Sequence, residues 1–100
     1  MDTKRHVTEL TDEEIAEFVS RQFSTVEPVK VMCRNREEGY VECIVATDWA
    51  DEPDKLTRRR ERMCLYEDGE IVTENGWLED KKDMWAWWDF MVDHNVAVLV

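Results

Sequence analysis

Glycine and proline are scarce in this chain, three and two among 100 residues, which excludes collagen-like repeats and flexible linker sequence. Cysteine is scarce too. Cys33, Cys43 and Cys64 are odd in number and widely spaced, with no C-x-x-C pair, so neither a disulfide framework nor a zinc site is expected. Cys33 and Cys43 could meet across a hairpin as a cross-strand disulfide, but in a reducing cytosol free thiols packing as small hydrophobes are expected. Histidine occurs twice, at His6 and His94. No apolar run approaches the roughly 18 residues of a membrane-spanning helix, and the opening MDTKRHVTEL lacks the apolar stretch of a signal peptide, so a cytoplasmic protein is expected. Nor is there a G-x-G-x-x-G, a Walker loop, an H-E-x-x-H or a G-x-S-x-G. His94 beside Asp93 is a poor catalytic pair, because adjacent helical residues do not face each other. No catalytic residue, cofactor or metal is expected, and the chain is read as a non-enzyme.

What the chain has is acid. The net charge is -11, unevenly spread: residues 37–54 carry seven acids and no base, residues 55–62 five bases and one acid, and residues 63–100 nine acids and two bases. Such a surface repels nucleic acid and anionic lipid and attracts basic surfaces, including those that proteins use to hold nucleic acid. Hydrophobic residues still make up 43% of the chain, enough for one core in a single domain over 1–100, with 1–9 expected to fray.

The first element is sharply marked. In LTDEEIAEFVSRQF, Thr11 and Glu14 form a capping box, Leu10 and Ile15 occupy the hydrophobic staple, and Ile15, Phe18, Val19 and Phe23 recur at helical spacing, predicting a helix over 12–23. The period then changes toward two. VKVMCRN and YVECIVATD, separated by NREEG, predict a hairpin with Val29, Val31 and Cys33 on one face and Val41, Cys43 and Val45 on one face. DWADEPDKL, residues 48–56, is expected to be a loop carrying an isolated Trp49. TRRRERMCLY and IVTEN predict two more strands joined at Gly69, with Arg58, Arg60 and Arg62 on one side, paired with acids such as Glu42, and Arg59 and Glu61 on the other. A second helix over 79–94 and a final strand VAVLV complete the order α-β-β-β-β-α-β. The expected class is α+β: an antiparallel sheet of four to five strands with two helices on one face.

The second helix holds DMWAWWDFM, residues 83–91. Helical spacing places Met84, Trp85, Trp88, Met91 and Val92 in one stripe, expected to be core, and leaves Trp87 and Phe90 on the flank, partly covered. Opposite lie Glu79, Asp83, Asp89 and Asp93, whose like-charged i,i+4 pairs each destabilise the helix by a few tenths of a kcal/mol. A basic partner would turn that cost into affinity. The expected partner-binding residues are therefore Asp83, Trp87, Asp89, Phe90 and Asp93, together with Asp48, Trp49, Asp51 and Glu52.

In size, charge and lack of catalytic motifs the chain resembles the small acidic phage proteins that block host defence nucleases, the anti-CRISPR and DNA-mimic proteins; the resemblance is one of composition. It implies a stoichiometric inhibitor of a larger protein or complex with a basic, nucleic-acid-binding surface, with no direct contact to nucleic acid or membrane, acting as a monomer or dimer. An immunity protein or antitoxin against a toxin nuclease is the alternative of the same kind. An alternative of another class is a small enzyme or ligand-binding domain with a pocket lined by Trp77, Trp87 and a cysteine.

Overall fold

The computed structural model describes residues 3–99. A 3-10 turn, Val7–Glu9, leads into α1, Asp12–Phe23, which begins where the capping box predicts: Thr11 accepts the Glu14 N–H, and the Glu14 carboxylate accepts the Thr11 N–H. Four antiparallel strands follow as a meander: β1, Lys30–Asn35; β2, Tyr40–Glu52; β3, Lys55–Tyr66; and β4, Ile71–Thr73. After a 3-10 turn at Glu79–Lys81 comes α2, Met84–Asp93. The fold is α+β, in the order α-β-β-β-β-α, with Ile15, Phe18, Val19 and Phe23 of α1 and Trp87 and Met91 of α2 buried against Val41, Cys43, Val45, Met63, Leu65 and Ile71 of the sheet.

The segment expected as an acidic loop is instead the far half of a long hairpin. β2 runs on to Glu52 and β3 starts at Lys55, with Asp54 at the corner in a left-handed conformation (φ 69°). The reason lies in the register. Asp48 faces Arg58 and Glu52 faces Lys55, so the acidic run of β2 and the basic run of β3 lie alongside each other. Arg58 also donates to Glu27 (2.9 Å), as does Arg60 (2.5 Å), while Arg62 lies 3.9 Å from Glu42. The arginines thus serve internal pairing, and they share one side of β3 as the alternation predicts.

The two ends and the cysteines depart from expectation. Val96 makes an isolated parallel bridge to Arg5, so the expected final strand is reduced to one pairing, and Val100 lies outside the described residues. The same bridge ties the N-terminal segment to the residues after α2: Arg5 donates to the Asn95 carbonyl (2.8 Å) and accepts the Ala97 N–H (2.9 Å), and Val7 is fully buried. Between Val31 and Cys33 a bulge slips the register, which leaves Cys33 opposite Glu42 and exposed while Cys43 stays in the core opposite Val31. All three thiols are free. After the bulge Arg34 lies opposite Val41 and donates to the Thr8 and Leu10 carbonyls, tying β1 to the start of α1.

One buried charge is left half-satisfied. Glu61 is 4% exposed; one carboxylate oxygen accepts the Asn75 N–H (3.1 Å) and Oε1 has no hydrogen-bond partner among the described residues. Burial pushes this carboxyl above its ordinary range, with the charges of Glu74 and Glu79 adding to the effect. A raised carboxyl favours the fold while protonated, and that contribution is lost as pH rises through the raised value. Glu61→Gln is therefore expected to stabilise the protein at pH 7 to 8 by about 1 kcal/mol, with the gain shrinking toward pH 4. Thermal melts across that range check it; a variant less stable than the parent at pH 8 would rule it out.

Candidate partner-binding surface

Eight of the ten residues of α2, MWAWWDFMVD, are apolar, and only Asp89 and Asp93 interrupt them. A helix so coated cannot bury all of its sides against one sheet, so the packing must leave some apolar surface outside. Asp83 starts the helix as its N-cap, accepting the Ala86 N–H (3.1 Å). Glu79 lies outside the helix, where it pairs with Lys82 (2.7 Å) and accepts a hydrogen bond from Thr73. The like-charged Glu79/Asp83 pair of the sequence pattern therefore does not form.

The core takes the side of α2 that helical spacing assigns to the flank. Trp87 is fully buried, its ring 5.0 Å from Phe18 and stacked at 5.8 Å on Phe90, and its indole N–H donates to the Tyr66 carbonyl (2.9 Å). Half-buried Phe90 continues the stack, 5.3 Å from Phe18 and 3.9 Å from His94, whose ring bonds the Phe90 carbonyl at the helix end. Of the expected core stripe only Met91 is buried. Trp85 is 74% exposed, Met84 and Val92 are each just over half exposed, and Trp88 is half-buried. The stripe assignment failed because polar residues define a buried side by exclusion, and two aspartates are too few to exclude one. The indole N–H decided the rest: Trp87 is the tryptophan that reaches a sheet carbonyl from inside.

Asp89, Phe90 and Asp93 come together on one wall of a groove of about 300 Å³ between the helices, whose other wall is Glu17, Phe18, Arg21 and Gln22. Arg21 also pairs with Glu17 (3.6 Å). The two aspartates thus share the groove lining with a guanidinium.

The candidates on β2 belong to a different element. Asp48 accepts from Arg58 (3.1 Å), and Trp49 is half-buried, donating to Thr47 (2.7 Å) under the guanidinium of Arg59, which also lies 4.8 Å over Trp77. Glu52 is exposed at the hairpin end, and the Asp51 side chain lies outside the described residues. Trp49 and Asp48 therefore hold the hairpin together more than they face outward.

The outward aromatic surface is elsewhere. Trp85 and Trp88 stand with ring centroids 6.2 Å apart at 53°, and with Met84 and Asp68 they line a notch of about 160 Å³. The turn after β3 builds the other side of that notch. Gly69 (φ 94°) lies under Trp88, where an added methyl would come within 3.2 Å of the ring, and neighbouring Asp68 accepts the Glu70 N–H (2.9 Å). No protein-family model, curated protein or solved structure matches this chain. Its surface must therefore be judged on its own chemistry.

That chemistry does not include the Trp77, Trp87 and cysteine pocket. Trp77 covers Arg59, Trp87 is core, and neither the groove nor the notch is lined by a cysteine. Burial pushes the Cys43 thiol up to about 12, and burial raises Cys64 as well, which keeps both protonated at neutral pH. No group of histidine, cysteine and carboxylate side chains among the described residues could hold a metal ion. No helix among them is long and apolar enough to cross a membrane. Trp85, Trp88, Met84 and Asp68 were missed as surface residues because aromatic residues at helical spacing are read as core, and nothing local in the sequence brings Asp68 to them.

Proposed function

We propose that this chain is a stoichiometric protein-binding inhibitor that lays the exposed face of α2 on a basic, nucleic-acid-binding surface of a larger cytoplasmic partner. The exposure of Trp85 carries this reading. An indole 74% exposed, on one helical face with half-exposed Met84 and Val92, is an apolar patch of the kind that marks interaction sites, and tryptophan is among the side chains most enriched at binding hot spots. The charge of -11 supports a basic partner, and Asp89 follows Trp85 by one helical turn, so carboxylate and indole present themselves together. The aromatic half of the surface is thus Trp85 and Trp88, in place of Trp87 and Phe90.

Affinity capture from a host lysate with the tagged chain tests this. A partner of fixed stoichiometry is expected, its nuclease or nucleic-acid-binding activity suppressed in the complex and its retention falling steeply with salt. Trp85→Ser, on an exposed side chain, should leave the thermal midpoint unchanged and weaken retention about tenfold or more. Equal retention by the variant, or binding indifferent to salt, would sink the proposal.

A further inference from the structure

The notch beside α2 has the composition of a cation receptor, and we infer that it takes an alkylammonium group, the end of a partner's lysine side chain, more tightly the more methyls that group carries. This rests on the partner-binding reading above and names the group that enters. Two indoles, tilted at 53° with centroids 6.2 Å apart, line one small volume, and an indole face attracts a cation. The Met84 thioether adds a polarisable wall, and among the described residues Asp68 supplies the only formal charge in the lining, a negative one. One Asp68 oxygen is committed to the Glu70 N–H, which fixes the carboxylate beside the notch and leaves its second oxygen for a ligand. At about 160 Å³ the space suits a methylated ammonium.

Three features decide among occupants. An anion is excluded by Asp68. A neutral apolar side chain would fill the notch but leave the carboxylate uncompensated. A planar guanidinium stacks on one aromatic face, whereas a compact ammonium can touch two inclined rings at once. Methylation strengthens the fit because each methyl lowers the hydration of the cation and adds surface against the indoles. A choline headgroup has the same cation but brings a phosphate toward Asp68 and a chain of net charge -11, which favours the lysine source.

The test follows the indole N–H signals of the intact protein by NMR during titration with four probes: acetyl-trimethyllysine amide, its unmethylated form, the uncharged carbon isostere of choline (3,3-dimethylbutan-1-ol) and phosphatidylcholine vesicles. Trp85 and Trp88 should shift saturably with the trimethylated probe while Trp87, bonded to the Tyr66 carbonyl, stays still. Affinity for the trimethylated probe should exceed that for the isostere by at least about threefold. Trp85→Ala, on an exposed side chain, and Asp68→Asn, which retains the acceptor for Glu70, should each reduce it. Equal affinity for the isostere would make the notch merely apolar and overturn the inference, as would shifts spread over all indoles or none that saturate. A response to vesicles without one to the lysine probe would overturn the protein source. The titration can fail while Trp85→Ser still abolishes partner capture, and the capture can fail while the titration succeeds, so the two proposals are separable.

Discussion

Trp87→Ala should lose about 3 to 5 kcal/mol of folding stability, while Trp85→Ala, two residues away on the opposite side of α2, should stay within about 0.5 kcal/mol of the parent. Both lose an indole, so transfer chemistry alone would make them alike. The difference comes from what each ring touches. Trp87 is fully buried between Phe18 and Phe90 and donates to the Tyr66 carbonyl at the end of β3, so its removal opens a cavity between both helices and the sheet and leaves that carbonyl with the Gly69 N–H (3.1 Å) as its remaining donor. Trp85 already stands mostly in water. A domain of this size has about 5 to 15 kcal/mol in hand, so the Trp87 variant should be close to unfolded at physiological temperature. Urea denaturation of the two variants decides the matter. Equal midpoints would mean that the orientation assigned to α2 is wrong, and with it the exposed notch.

Acidification should unfold the protein largely through Glu14. The guanidinium of Arg5 meets this carboxylate with two hydrogen bonds, at 2.6 and 3.0 Å, and together with the Thr11 N–H holds it at about 2, well below the usual 4.5. A depressed carboxyl contributes stability that is fully present above the ordinary value and is lost as pH falls through the folded one, so the window is about 4.5 down to 2. With side chains 30% and 23% exposed, screening trims the full linkage energy to about 2 kcal/mol. The pair matters beyond its own energy, because Arg5 also donates to the Glu9 and His94 carbonyls and so ties the N-terminal segment to the end of α2. Glu14→Gln keeps the capping geometry and removes the charge. It should melt several degrees below the parent at pH 7, with the gap closing toward pH 3. A gap that does not change with pH would show that Glu14 acts through shape alone. Glu61, raised where Glu14 is lowered, pulls the opposite way, so the parent should be most stable at mildly acidic pH.

Much of the fold was legible because its signals are local. Thr11, Glu14, Leu10 and Ile15 mark the start of α1 within six residues. The alternation of arginines in β3 and of valines in β2 gives strands whose faces follow directly from the period of two. The hairpin tip was misjudged at Pro53 and its surrounding acids, since an acid-rich stretch reads as solvated loop until Asp48 and Glu52 are seen opposite Arg58 and Lys55. The bulge near Cys33 was equally hidden, because a single extra residue changes which side chains share a face without altering composition.

The candidate site was legible as a place and not as a set of residues. DMWAWWDFM marks the surface, yet the residues it offers a partner are Trp85 and Trp88 with Asp68 from a turn before β4, while Trp87 is core and Phe90 half-buried. By itself the sequence determined the α+β class, the existence of the four sheet strands and of both helices, and the acidity, for each follows from spacing or charge along the chain; the reach of the β2–β3 hairpin and the loss of a strand after α2 did not. Only the tertiary structure decided which side of α2 faces the sheet. A helix apolar on nearly all sides has no preferred rotation of its own; the choice fell to one indole N–H that found a carbonyl inside the core, and to a glycine that let another tryptophan rest outside it.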